Sequence, residues 1–126
     1  MMAYLIVFFG AGIGGALRHG VNVWSGRLMG TNFPYGTITV NIVGSLVMGL
    51  LASYFAFRGP ESHHWRLFLA TGILGGFTTF SSFSLDIGLL YERGELLTTA
   101  FYIAASVVIS VAALFGGLWT MRTLLP

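Results

Sequence analysis

Gly75-Gly76-Phe77-Thr78-Thr79-Phe80-Ser81-Ser82-Phe83-Ser84 lies inside a hydrophobic segment, and its reading decides the fold. Ordinary lipid-spanning helices are filled with Leu, Ile and Val. Here the hydroxyls of Thr78, Thr79, Ser81, Ser82 and Ser84 are interleaved with the rings of Phe77, Phe80 and Phe83. Polar groups are costly in hydrocarbon, so such a cluster marks a groove or pathway. The bland alternative is aromatic core packing beside hydroxyls bonded to their own helix. Gly72, Gly75 and Gly76 precede two β-branched threonines, an unfavourable run for continuous helix. The segment is therefore expected to break near its middle, at Gly75–Thr78. Unwound carbonyls in a bilayer must be satisfied by protein, water or a cation such as Na⁺.

The rest of the chain agrees with a membrane setting. Of its 126 residues, 56% are hydrophobic and only 8% are charged, against about 25% charged in a soluble domain. There is no cysteine, which removes disulfide and thiol chemistry. The net charge of +2 comes from few residues and does not suggest nucleic-acid binding. A bilayer core takes about 20 apolar residues per helix. Segments near 3–24, 34–57, 66–90 and 96–124 qualify, giving one all-α membrane domain over 1–126 with four transmembrane helices. The first connection is expected around Gly26-Arg27. The N-terminal run lacks a basic n-region and a small-residue cleavage pattern, so it reads as a first transmembrane helix and not a signal peptide.

Charge placement is unusual. Both termini and the second loop share a side carrying Arg58, Arg66 and Arg122, while the other side carries Arg18, Arg27 and Arg93. Orientation normally follows an excess of basic residues on the cytoplasmic side, and here there is none. Either the segment boundaries are off by a few residues or folding context sets the orientation, or the chain inserts both ways up and pairs as an antiparallel homodimer. Small residues spaced for close helix contact recur as Gly10-x-x-x-Gly14, Gly12-x-x-x-Ala16 and Ser45-x-x-x-Gly49-x-x-x-Ser53. Intrasubunit packing explains most of these without any function.

Several polar residues need a reason. Asn41 lies inside the second segment, where its amide serves either as an interhelical hydrogen bond or as an NH₂ donor aimed at an anion. Tyr102, Ser106 and Ser110 recur four apart and share one helical stripe, a candidate polar track. A ring's edge is positive, so Phe edges together with neutral donors form a wall that passes an anion without trapping it. Arg18 either snorkels to the interface or draws anions into a vestibule. Asp86 alone among the acids falls within a hydrophobic segment. His63-His64 and His19 are weak metal signals. No nucleophile–base constellation is visible, which argues against an enzyme.

Three motifs together, Gly75–Ser84, Gly-Thr-Ile-Thr-Val-Asn-Ile-Val-Gly-Ser over 36–45 and Gly-x-Gly-Gly-Ala-x-Arg over 12–18, are specific. The chain resembles the Fluc/CrcB fluoride channels of bacteria over essentially its whole length. The resemblance implies a dual-topology antiparallel homodimer with two fluoride pores, in the bacterial cytoplasmic (inner) membrane. It implies that Phe80 and Phe83 line the pore with Asn41, and that Ser81, Tyr102 and Ser110 lie on a polar track beside it. It further implies a central structural Na⁺ held by the Gly75 and Thr78 carbonyls, and places Arg18 near the pore mouth. Ser82 stands where Thr is common, Asp86 where Glu is frequent, and His19 where an aromatic is usual. The main rival is a small dual-topology, proton-coupled multidrug or guanidinium exporter. That mechanism needs a membrane-buried acid in the first helix, and residues 3–24 contain none. A structural or accessory membrane subunit is the other rival, and it predicts that the hydroxyls at 78–84 are replaceable at little cost.

Overall fold

The computed structural model describes residues 1–125, and among them helices are the only regular elements. Helix α1 runs over Met2–Met29 and α2 over Tyr35–Arg58. A 3₁₀ turn at Pro60–Ser62 leads into α3, over residues 63–77. Helix α4 is Phe80–Glu92 and α5 is Leu96–Leu124. The pieces from Pro60 to Glu92 form one span, so among the described residues there are four helices or helix pairs long and apolar enough to cross a membrane.

Each full-length helix ends where its sequence allows. Gly30 and Gly59 follow α1 and α2 with φ of 80° and 82°, and their N–H groups return to the Gly26 and Phe55 carbonyls. Gly94 turns the chain between α4 and α5 with φ 79°. These left-handed positions are open to glycine at little steric cost. The first connection is accordingly shorter than the sequence suggests. Gly26 and Arg27 remain helical, and α1 continues to Met29 because nothing in that turn demands a left-handed residue before Gly30.

The helices touch at backbone distance. A Cβ on Gly14 would collide with the Ile73 carbonyl, and one on Gly10 would lie 2.7 Å from the Phe68 carbonyl. A Cβ on Gly76 would strike the Ala11 carbonyl. The Gly10/Gly14 pair thus binds α1 to α3 within the chain. Gly49 and Gly117 do the same for α2 and α5, meeting the Leu114 and Leu46 carbonyls, and the Ser53 hydroxyl donates to the Leu118 carbonyl at 3.0 Å. Gly12 meets nothing within 4 Å, and Ala16 is exposed, so that motif does not pack inside the subunit.

The third span departs from a simple helix twice. Residues Leu67–Leu74 are π-helical, packed on α1. The break itself lies at Thr78–Thr79, where ψ swings to 158° and 121°. The expectation of a break across Gly75–Thr78 therefore requires a shift in register: Gly75, Gly76 and Phe77 stay helical. The glycines serve close packing on α1, and the extended backbone falls to the β-branched threonines that tolerate it best.

Adjacent glycines in α5 offer a test of this packing. Gly117→Ala is expected to lower stability in detergent by about 1–3 kcal/mol, the usual cost of overpacking. Gly116→Ala, which meets nothing within 4 Å, leaves it unchanged or slightly raised. Thermal loss of the folded size-exclusion peak compares the two.

Candidate functional site

The break needs partners for its main chain, and α2 supplies them. Asn41 Nδ2 donates to the Thr79 carbonyl at 3.0 Å, and the Thr79 N–H donates to Asn41 Oδ1 at 2.8 Å. One side-chain amide thus pairs with both polar groups of one residue, as a neighbouring strand would. Gly44, one turn further along the same face of α2, makes room: a Cβ there would collide with the Thr78 methyl. Thr79 also caps α4, its Oγ1 accepting from the Ser82 N–H at 3.1 Å. The Thr78 hydroxyl donates back to the Leu74 carbonyl at 3.0 Å, alongside the Thr78 N–H at the same distance.

Beside the clamp lies an open groove of about 400 Å³ between α2, the break and α5. Its wall includes Asn41, Ser45, Phe80, Phe83, Ser106 and Ser110, with Thr78 and Thr79 at the break and Met48, Val107, Val111 and Leu114 as apolar lining. No ionisable side chain is on that wall. The Ser106 and Ser110 hydroxyl oxygens are buried and have no hydrogen-bond partner among the described residues. A polar group left unpaired in this way costs roughly 1–3 kcal/mol, so both hydroxyls call for a water or an ion in the groove. Asn41 adds a third unspent group, the second hydrogen on Nδ2.

Phe83 is buried at the foot of the groove, with its ring 5.6 Å from that of Phe80 and 5.2 Å from that of Tyr102. Tyr102 is fully buried behind it, and its hydroxyl donates to Asp86 Oδ2 at 2.9 Å. Asp86 in turn lines a second cavity of about 290 Å³ that also touches Thr37, Asn22 and Arg93. At that cavity Arg93 bonds the Asn32 carbonyl at 2.7 Å and pairs with Glu95 at 2.7 Å, tying the first and last turns together.

The structure therefore brings Asn41, Thr78, Phe80, Phe83 and Ser110 to one groove. Tyr102 is not on that wall but stands behind Phe83. Ser81 is exposed on the other side, its Oγ 3.3 Å from the Thr79 hydroxyl, and Ser84 bonds the Phe80 carbonyl within its own helix. Gly75 is exposed beyond the break. Arg18 is half-buried in α1, eleven residues before its end at Met29, and forms no hydrogen bond or ion pair among the described residues. Sequence reasoning missed Thr79 as the hinge of the site. The available signal was a threonine directly before a helical run, the usual N-cap residue.

These elements make a multi-pass α-helical membrane protein whose third span is interrupted beside a neutral, hydroxyl-lined groove. The family described as "CrcB-like protein, Camphor Resistance (CrcB)" matches residues 5–118. Similar proteins include the fluoride-specific ion channel FluC of Rhodopseudomonas palustris strain BisB5, 57% identical over 98% of this chain and 99% of its own length. FluC 2 of Nitrobacter hamburgensis is 55% identical over 98% of this chain and 99% of its own. FluC of Agrobacterium fabrum is 56% identical over the same shares. The chain belongs to the CrcB-like family.

Removal of the cap measures its part in the site. Thr79→Ala is expected to cost about 1 kcal/mol, as loss of a side-chain N-cap does elsewhere, while Thr79→Ser retains most of it. Denaturant titration in detergent separates the two variants.

Proposed function

We propose that the chain is a passive, fluoride-selective ion channel that lets fluoride leave the cytoplasm and so gives fluoride resistance. The observation that carries the reading is the groove at the break: two unpartnered buried hydroxyls and a spare amide hydrogen beside two phenylalanines, with no ionised group on the wall. Such donors replace part of an anion's hydration shell without binding it tightly. The relatives at 55–57% identity carry the name of fluoride-specific ion channels. Fluoride is small and strongly hydrated, so it leaves water only for real hydrogen bonds. The membrane potential drives an anion outward at about 2.3 kcal/mol per charge per 100 mV, and no fuel site is required. Helix α1 contains no Asp or Glu, which disfavours proton-coupled cation export.

The working unit in this reading is an antiparallel homodimer with two pores in the bacterial inner membrane. Three arginines on each side support insertion in both orientations. The face around the break supports a partner: Phe80 is 75% exposed, and Ser81, Ser84 and Gly75 are also exposed at a depth where lipid satisfies no polar group. A structural Na⁺ fits the same face. The half-helix ending at Phe77 leaves its last carbonyls without intrahelical donors, and no inter-element hydrogen bond engages the Gly75 or Thr78 oxygens. Those two carbonyls would hold the ion, and a hard monovalent cation needs no carboxylate. When bound, it would supply the partner that these unwound carbonyls lack in the bilayer.

Reconstituted protein is expected to release fluoride, and not chloride, from liposomes held at a clamped potential, read by ion-selective electrodes. Silence for fluoride removes the channel reading. Phe80→Ile and Phe83→Ile are each expected to reduce flux tenfold or more while the dimer survives, and wild-type rates from both would reduce the rings to packing.

The antiparallel arrangement has its own test in the first turn. Thr31→Lys together with Asn32→Lys biases insertion and is expected to lower dimer yield and flux together. Full activity from a chain fixed in one orientation would overturn the arrangement.

A further inference from the structure

An asparagine can present either end of its amide to a cavity, as a donor through Nδ2 or as an acceptor through Oδ1. Which end faces the groove matters, because an oxygen turned toward an anion repels it. In this structure the choice is made by the main chain of Thr79. Its N–H is a donor and needs an oxygen, and its carbonyl is an acceptor and needs an N–H. The two contacts, 2.8 Å from Thr79 N to Oδ1 and 3.0 Å from Nδ2 to the Thr79 oxygen, are satisfied together in only one orientation. Rotating the amide by half a turn would set oxygen against oxygen and N–H against N–H, losing both bonds. Thr79 is itself buried, and it is held on the far side by the capping bond in which the Ser82 N–H donates to its Oγ1 at 3.1 Å. The hydrogen left over on Nδ2 belongs to a residue on the groove wall that also carries the unpartnered Ser106 and Ser110 hydroxyls.

We propose that the Thr79 peptide is the positioning element of the groove: it locks Asn41 in the one amide orientation that leaves an N–H free for an anion. This rests on the anion-channel reading above. The extended backbone at the break then does more than interrupt a helix. It frees the N–H of Thr79, leaves its N-cap carbonyl a second lone pair, and spends both on fixing the polarity of a neighbouring side chain. The hydroxyls can rotate to donate or accept, whereas Asn41 under this clamp cannot reverse. The groove's preference for an anion over a cation therefore resides in the Asn41–Thr79 pair more than in the serines.

The test is an amide-to-ester exchange at the Thr78–Thr79 bond, which keeps the threonine side chain, replaces the N–H by oxygen and also weakens the Thr78 carbonyl as an acceptor, so resonance measurements on the wild-type protein are made alongside it. Fluoride flux in liposomes is expected to fall tenfold or more. Wild-type flux from the ester protein overturns the proposal and leaves the channel reading standing. Where the ester protein does not fold, nuclear magnetic resonance of the intact wild-type protein decides. The Thr79 amide, although outside any helix, is expected to exchange with solvent at least tenfold more slowly than an unprotected amide. Of the two Asn41 side-chain protons, only one is expected to shift on titration with sodium fluoride, and neither with sodium chloride. A Thr79 amide exchanging at the unprotected rate, or Asn41 protons indifferent to fluoride, would overturn the proposal. Absence of fluoride flux from the wild type would strike the channel reading, while the exchange rate would still report the clamp.

Discussion

A main-chain amide in hydrocarbon costs several kcal/mol when it has no partner, and the extended stretch at Thr78–Thr79 sets such groups free in the middle of a span. The rest of the site follows from how they are satisfied. Asn41 reaches across from α2 to take both polar groups of Thr79. The Thr79 hydroxyl takes one of the orphan N–H groups of α4, that of Ser82, and the Leu74 carbonyl accepts two bonds from Thr78. With these bonds made, the start of α4 is fixed relative to α2, and with it the placement of Phe80 and Phe83. Remove the clamp and the rings lose their register against α5.

Periodicity turns this clamp into a groove. On α2, positions 41, 44, 45 and 48 form one stripe facing the break and the open space, whereas Gly49 and Ser53 face α5. On α5, Ser106 and Ser110 share a stripe with Tyr102, while Gly117 seals the contact with α2. The same two helices are thus in backbone contact at one level and separated by polar side chains at another. Glycine sets the first level and serine the second. Asn41 itself settles between its two sequence readings by combining them: one half of its amide is an interhelical bond, and the remaining hydrogen is the donor.

Much of this was legible in the residues. Hydropathy gave the four spans, since lipid leaves helix as the only local way to pair a backbone. The Gly10/Gly14 spacing announced a close helix contact, though not that α3 is the partner. The register of the break was harder to see, because glycine's low helix propensity is measured in water. In a bundle, Gly72 and Gly76 stay helical and act by letting α1 approach. The end of α1 was missed for a related reason: Gly26 and Arg27 look like a loop, yet both stay helical and Gly30 is the glycine that turns left-handed. The Tyr102–Asp86 bond joins residues sixteen apart on different helices, and no spacing rule reaches across the α4–α5 turn to find it.

The neutrality of the groove has an energetic logic under the proposed function. A fixed lysine or arginine on the wall would hold an anion at 4 Å by about 4 kcal/mol at an effective dielectric near 20. Since each 1.4 kcal/mol is tenfold in an equilibrium, release would slow by roughly three decades. Hydroxyl and amide donors contribute about 1 kcal/mol apiece, enough in combination to offset lost water and too little singly to trap the ion. The one carboxylate nearby, Asp86, is kept behind the Phe83–Tyr102 ring pair and bonded to the Tyr102 hydroxyl. It faces the far cavity, where Arg93 also stands, with two rings between it and the groove. Separating the charged groups from the donor-lined wall lets one set act on the approach of an ion and the other on its passage.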